Sequence, residues 1–233
     1  MTDPSPIVLI PGLTCSARLY ADQIPALWRF GPVTVADHTR DDSMTAIARR
    51  ILAAAPPRFA LAGLSMGGYI AFEIMRQAPQ RVAKLALLDT GARAETPEQT
   101  ERRKVVIALA KSGRYAEVPD IAFPIYVHRN RHNDAGLKQT VCTMAAETGV
   151  EAFLRQQQAI MARPDSRPGL GAIKCPTLVL VGDGDEATPP ELAREIAGAI
   201  AGARLSVIAE CGHLSTLEQP EKVTAALVEW MNG

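Results

Sequence analysis

Phe59-Ala60-Leu61-Ala62-Gly63-Leu64-Ser65-Met66-Gly67 is the stretch that decides the fold of this 233-residue chain. Residues 59–64 are all apolar or small, the length and composition of a strand buried on both faces. From Met66 to Met75 the apolar spacing turns helical, so the chain must bend sharply from strand to helix at Ser65. Glycine two positions to either side of the serine fits such a bend, because tight packing around it leaves no space for a side chain.

The pattern continues in both directions. Short apolar runs at 7–10, 33–36, 59–64, 85–88, 177–181 and 205–208 are predicted as buried parallel strands. Helical spacing separates them at 43–54, where Met44, Ile47, Ile51 and Leu52 share a face, and at 66–75; it closes the chain at 223–230. This alternation predicts an α/β protein, with an open, mostly parallel sheet and helices on both of its faces. Thr96-Pro97-Glu98-Gln99 and Thr188-Pro189-Pro190-Glu191 read as helix starts, each with threonine at the cap and proline in the first turn. Between Gly91 and Ile173 the alternation stops for about eighty residues of helical pattern, far longer than an ordinary connection. A core at 1–91 and 173–233 and an inserted helical cap at 92–172 are predicted, and excision of 95–167 is expected to leave a foldable sheet.

Composition narrows the partners. Acidic and basic residues number 25 each with no block of one sign, which leaves no footprint for nucleic acid or an anionic membrane and favours a small partner, uncharged overall. No apolar run approaches the roughly 20 residues of a membrane span, and no leader pattern opens the chain. Cys15, Cys142, Cys175 and Cys211 form no metal-ligand spacing with the four histidines, so no metal site is expected and the thiols are read as reduced in a cytoplasmic protein.

Ser65 becomes a candidate nucleophile only if a base removes its proton. His213, in Cys211-Gly212-His213-Leu214, follows the last predicted strand and falls at the same carboxyl edge of the sheet as Ser65. His38 precedes the serine in the chain, while His128 and His132 lie in a polar part of the predicted cap, where a solvated role is expected. The base in turn needs a carboxylate to hold its tautomer. Asp89, Asp183 and Asp185 all follow strands between Ser65 and His213. Asp185, deeper in its loop and followed by Ala187-Thr188-Pro189, is favoured; Asp183 is expected to serve the turn, and Asp89 is the rival.

Gly63-Leu64-Ser65-Met66-Gly67, the loop Gly182-Asp183-Gly184-Asp185 leading to Thr188-Pro189, and Gly212-His213 ahead of Glu218-Gln219-Pro220 together resemble the α/β-hydrolase superfamily. The resemblance runs from about Ile7 to the end of the chain, apart from the predicted cap, and within the superfamily it is to compact esterases and enol-lactonases that use neither metal nor organic cofactor. It implies an acyl-enzyme hydrolase of a small-molecule carboxylic ester or lactone, with Ser65, Asp185 and His213 as the catalytic residues and the backbone amides of Leu13 and Met66 as the oxyanion hole. Pro11 stands where the superfamily usually has histidine, a change that leaves backbone donors available. A thioesterase or carrier-bound acyl ester hydrolase is the alternative, for which Arg102-Arg103-Lys104 and Arg129 with Arg131 would be the basic face, diluted by Glu95, Glu98 and Glu101. A non-catalytic small-ligand-binding protein is the alternative of another class. Phe123, Ile125, Tyr126, Met144, Phe153 and Met161 would line a pocket over Ser65 or form the core of the cap.

Overall fold

The protein is described by a computed structural model over residues 5–233. Its strands are β1 (Ile7–Ile10), β2 (Val33–Val35), β3 (Phe59–Leu64), β4 (Val82–Leu88), β5 (Thr177–Gly182) and β6 (Arg204–Ile208). They form one sheet in the order β2, β1, β3, β4, β5, β6, every pair parallel.

Side chains alternate across a strand, and the strand residues divide between two apolar clusters with that period of two. Ile10, Leu61, Leu85, Leu87 and Val179 pack on one face with the helices Met44–Ala54, Met66–Gln77 and Pro190–Ala199. Leu9, Ala62, Leu64, Leu88 and Leu180 pack on the other with the helix Pro220–Asn232. Both faces are covered, which is why the strands read as continuous apolar runs. The fold is that of the α/β hydrolases.

Two local readings need correction. β4 begins at Val82, not at residue 85, because Lys84 sits within the strand and turns its ammonium to the carbonyls of Trp230 (3.1 Å) and Met231 (2.9 Å). A helix does follow Thr188, at Pro190–Ala199, but Thr188 does not cap it; its hydroxyl is bound to Asp185 instead. The other expected start forms a capping box, Thr96 and Gln99 exchanging side chain to backbone bonds at 3.0 and 3.2 Å.

Between β4 and β5 the chain forms the helices Pro97–Leu109, Val118–Tyr126, Ala135–Thr148 and Val150–Met161, with no strand among the described residues. Phe123, Leu137, Val141 and Met144 from this stretch join the same apolar cluster as the strand residues Leu64 and Leu88. No helix of the described residues is long and apolar enough to cross a membrane.

Candidate active site

Ser65 sits between β3 and the helix Met66–Gln77 with φ 55° and ψ −113°, a conformation strained for any residue with a Cβ. The bend is held in place: the Ser65 N–H donates to the Leu88 carbonyl (2.9 Å), and the Ser65 carbonyl accepts from Gly68 N (2.9 Å) and Thr90 Oγ1 (2.8 Å). The flanking glycines are steric necessities, since a Cβ at Gly63 would collide with the Gly67 carbonyl and one at Gly67 with the carbonyl of Ile10.

His213 lies 2.8 Å from Ser65, Nε2 to Oγ, and its Nδ1 lies 2.8 Å from Asp185 Oδ2. An ionised carboxylate only accepts, so Nδ1 carries the ring proton and Nε2 is left to accept from the serine hydroxyl. Asp185 is anchored by the N–H groups of Ala187 (2.9 Å) and Thr188 (2.8 Å) on Oδ1 and by Thr188 Oγ1 (2.7 Å) on Oδ2. Burial works against a charged imidazole at His213, but the carboxylates of Asp185, Asp89 and Glu218 outweigh it and lift its pKa above the ordinary histidine value. The loop bearing His213 hangs on the Tyr126 carbonyl, which accepts from the N–H groups of His213 (3.0 Å) and Leu214 (3.1 Å). Glu218 ties the same loop down, accepting from Gly212 N (3.1 Å), Leu214 N (3.2 Å) and His128 N (2.7 Å).

The two other aspartates face elsewhere. Asp89 is buried at the end of β4 with a positive φ, and its carboxyl takes the Gly182 N–H (3.0 Å) and the Ser215 hydroxyl. Burial and the neighbouring Asp185 charge push its pKa well up. Asp183 accepts from Cys211 N at 3.2 Å. Of the remaining histidines, His132 is exposed, whereas His128 is half-buried with its ring against Gly184, so the expectation of a solvated His128 is corrected.

Leu13 lies on the loop after β1, and neither its amide nor that of Met66 donates to an acceptor among the described residues. The loop is clamped from two sides. His38 Nε2 donates to the Gly12 carbonyl at 2.9 Å, and Gln156 Oε1 accepts from Thr14 N at 3.1 Å, where Thr14 has φ 58°. The Gly12 carbonyl and the Leu13 N–H belong to one planar trans peptide, so holding the oxygen sets the opposite direction of the N–H. Sequence reasoning weighed His38 only as a base, had no signal for Gln156, and read Thr188 as a helix cap, whereas its hydroxyl also lies 3.2 Å from His213 Nδ1. A cavity of about 20 Å³, room for a water or two, opens over Ser65 and is walled by Leu13, Tyr126, Val141, Met144, His213 and Leu214. Of the apolar residues expected to form a pocket, Tyr126 and Met144 line this cavity, Ile125 and Phe153 line an adjoining one, Phe123 is buried in the core, and Met161 lines neither. No cluster of metal-ligating side chains occurs among the described residues.

The sheet, the strained serine and the histidine loop at one edge define a class. The model of the alpha/beta hydrolase family matches residues 7–227, and the chain belongs to that family. It is similar to a thermophilic esterase from Thermogutta terrifontis (30% identity, TM-score 0.89, covering 98% of this chain and 89% of that one). It is also similar to the enol-lactonase of Burkholderia xenovorans (25% identity, TM-score 0.89, 99% and 92% covered). A third relative is the pimeloyl-[acyl-carrier protein] methyl ester esterase of Neisseria meningitidis, 24% identical over 97% of this chain and 93% of that protein.

Proposed function

We propose that the protein is a serine hydrolase that cleaves a carboxylic ester or lactone of a small molecule through an acyl-enzyme. The observation that carries this reading is the continuous hydrogen-bonded line from Asp185 through His213 to Ser65, two contacts of 2.8 Å each. The esterase and enol-lactonase names of its relatives support it.

In this reading Ser65 Oγ attacks the substrate carbonyl carbon while its proton passes to His213 Nε2. The carbonyl oxygen becomes an oxyanion held by the amides of Leu13 and Met66, donors already fixed in direction before charge develops. His213 then gives its proton to the leaving alkoxide, and the C–O bond breaks. Water enters, loses a proton to His213 and attacks the acyl carbon, and collapse releases the acid and restores Ser65. Apart from the attacking water, every group used is a side chain or amide of this chain. Residues 92–172 act in this reading as a cap over the core at 1–91 and 173–233, and the four unpaired thiols favour a reducing setting such as the cytoplasm.

The test is covalent labelling with a fluorophosphonate, combined with hydrolysis of activated esters. Wild-type protein is expected to take one label at Ser65, and Ser65→Ala to lose the label and at least about a thousandfold in turnover. Retention of more than a tenth of turnover in Ser65→Ala would falsify the mechanism.

A further inference from the structure

Beside the cavity at Ser65 lies another of about 260 Å³, and the two share Leu13, Thr14, Tyr126 and Val141 as walls. Much of its lining is apolar, including Val106, Val118, Ile121 and Phe153, but Arg102, Arg103 and Gln157 also face it, together with Glu95 and Glu186. Arg103 donates through Nε to Glu95 Oε1 (2.6 Å) and through Nη1 to Gln157 Oε1 (2.9 Å). The second oxygen of Glu95 is taken by Arg163, which is further engaged by the carbonyls of Arg93 and Ile160 and lies over the ring of Tyr69.

Two guanidinium groups therefore share one carboxylate, and the cluster carries one positive charge in excess. Glu95 and Arg103 both line the cavity and Arg163 does not, but Glu95 is 1% exposed and Arg163 7%, against 23% for Arg103, so the guanidinium of Arg103 is the part of the cluster the cavity meets. Gln157 adds a side-chain amide nitrogen that meets no acceptor among the described residues. At the rim, Arg102 and Glu186 are both exposed and offset each other. A cluster of two guanidinium groups on one carboxylate, its most exposed member set against apolar walls, favours an anion that brings its own negative charge.

We infer that this cavity binds a carboxylate carried by the substrate. The preferred substrate of the Ser65 site is then an ester or lactone acid, with a cleavable acyl bond at one end, a free carboxylate at the other and an apolar chain between. Arg103 and the Gln157 amide offer donors suited to two carboxylate oxygens. The even charge of the whole chain pointed to an uncharged partner because a net count does not register a local excess. The inference rests on Ser65 as the nucleophile, so its test also includes a measurement that needs no turnover.

Monomethyl glutarate, adipate and suberate are compared with the methyl esters of the monocarboxylic acids of equal length. Two quantities are measured: kcat/KM for wild type and Arg103→Met, and binding of the uncleaved esters to Ser65→Ala by calorimetry. At least one half-ester is expected to exceed its neutral counterpart by about tenfold or more in both, the size of a charged hydrogen bond. Arg103→Met should bring the ratio close to one and Arg103→Lys should keep part of it. No preference in binding to Ser65→Ala, or a preference that survives Arg103→Met, overturns the inference. Turnover persisting in Ser65→Ala overturns the hydrolase reading instead, and the binding contrast still decides the subsite.

Discussion

Asp185→Asn preserves shape and removes one charge, so it isolates what the carboxylate does. Asp185 is 3% exposed, and its oxygens accept four hydrogen bonds. The two backbone N–H groups on Oδ1 can only donate, so the oxygen of an asparagine must stay on them and its NH2 group must face His213 and Thr188. His213 Nδ1 then has to accept, which moves the ring proton to Nε2, the atom 2.8 Å from Ser65 Oγ. The serine hydroxyl meets a donor and loses its base. A mis-set tautomer of this kind costs about 10³ to 10⁴ in turnover, or about 4 to 5.5 kcal/mol of transition-state stabilisation. The assay is kcat/KM on one activated ester, with thermal melts to establish that the variants fold. Asp89→Asn is the contrast. Asp89 has no bond to His213, an asparagine oxygen can keep the Gly182 N–H, and the Ser215 hydroxyl can rotate to accept from the amide nitrogen. Asp89→Asn and Asp183→Asn are each expected to cost about tenfold or less. A collapse in Asp89→Asn beside an active Asp185→Asn would move the acid to the end of β4 and refute the reasoning.

The pH profile follows from the raised pKa of His213. The reaction needs the neutral base, so kcat/KM should fall as pH drops through a midpoint above the ordinary value of about 6.5, and a midpoint below about 6 in a pH titration of kcat/KM would contradict the electrostatics described. His38→Ala frees the Gly12 carbonyl, and with it the direction of the Leu13 N–H; kcat is expected to drop by about tenfold to a hundredfold with KM little changed. The affinity of a boronic acid transition-state analogue should fall in step, His38→Gln should recover part of both, and a change confined to KM would sink the idea.

What the sequence made legible is what is local. Buried parallel strands are continuous apolar runs, so β3 and β5 could be read almost to the residue, whereas Lys84 interrupts the pattern of β4 and hid its first three residues. Ser65 and its glycines form a short pattern for a steric reason, and the order of serine, aspartate and histidine along the strand ends narrowed the candidates to three acids. Choosing among those acids depends on which loop folds back on which, and that is long-range information. Thr188 was misread for a local reason: its hydroxyl turns back to Asp185, three residues earlier, rather than to the helix beside it.

The stretch between β4 and β5 is where local reading carries least, because its part in the site runs through backbone. Excision of 95–167 was expected to leave a foldable sheet with a changed preference for substrate. In the structure, that stretch supplies the Tyr126 carbonyl that accepts from His213 and Leu214, and the Gln156 side chain that accepts from Thr14. It also buries Leu64 and Leu88 through Phe123, Val141 and Met144. Removing it would therefore free the loop holding the base and the loop holding the Leu13 amide, and would expose strand residues at the carboxyl edge. The truncated chain is expected to lose turnover on every ester by at least about a hundredfold, together with a lowered midpoint in chemical denaturation. A truncated protein with near wild-type turnover on a small activated ester would mean that the sheet alone orients Ser65 and His213, and that the helices above it only choose the substrate.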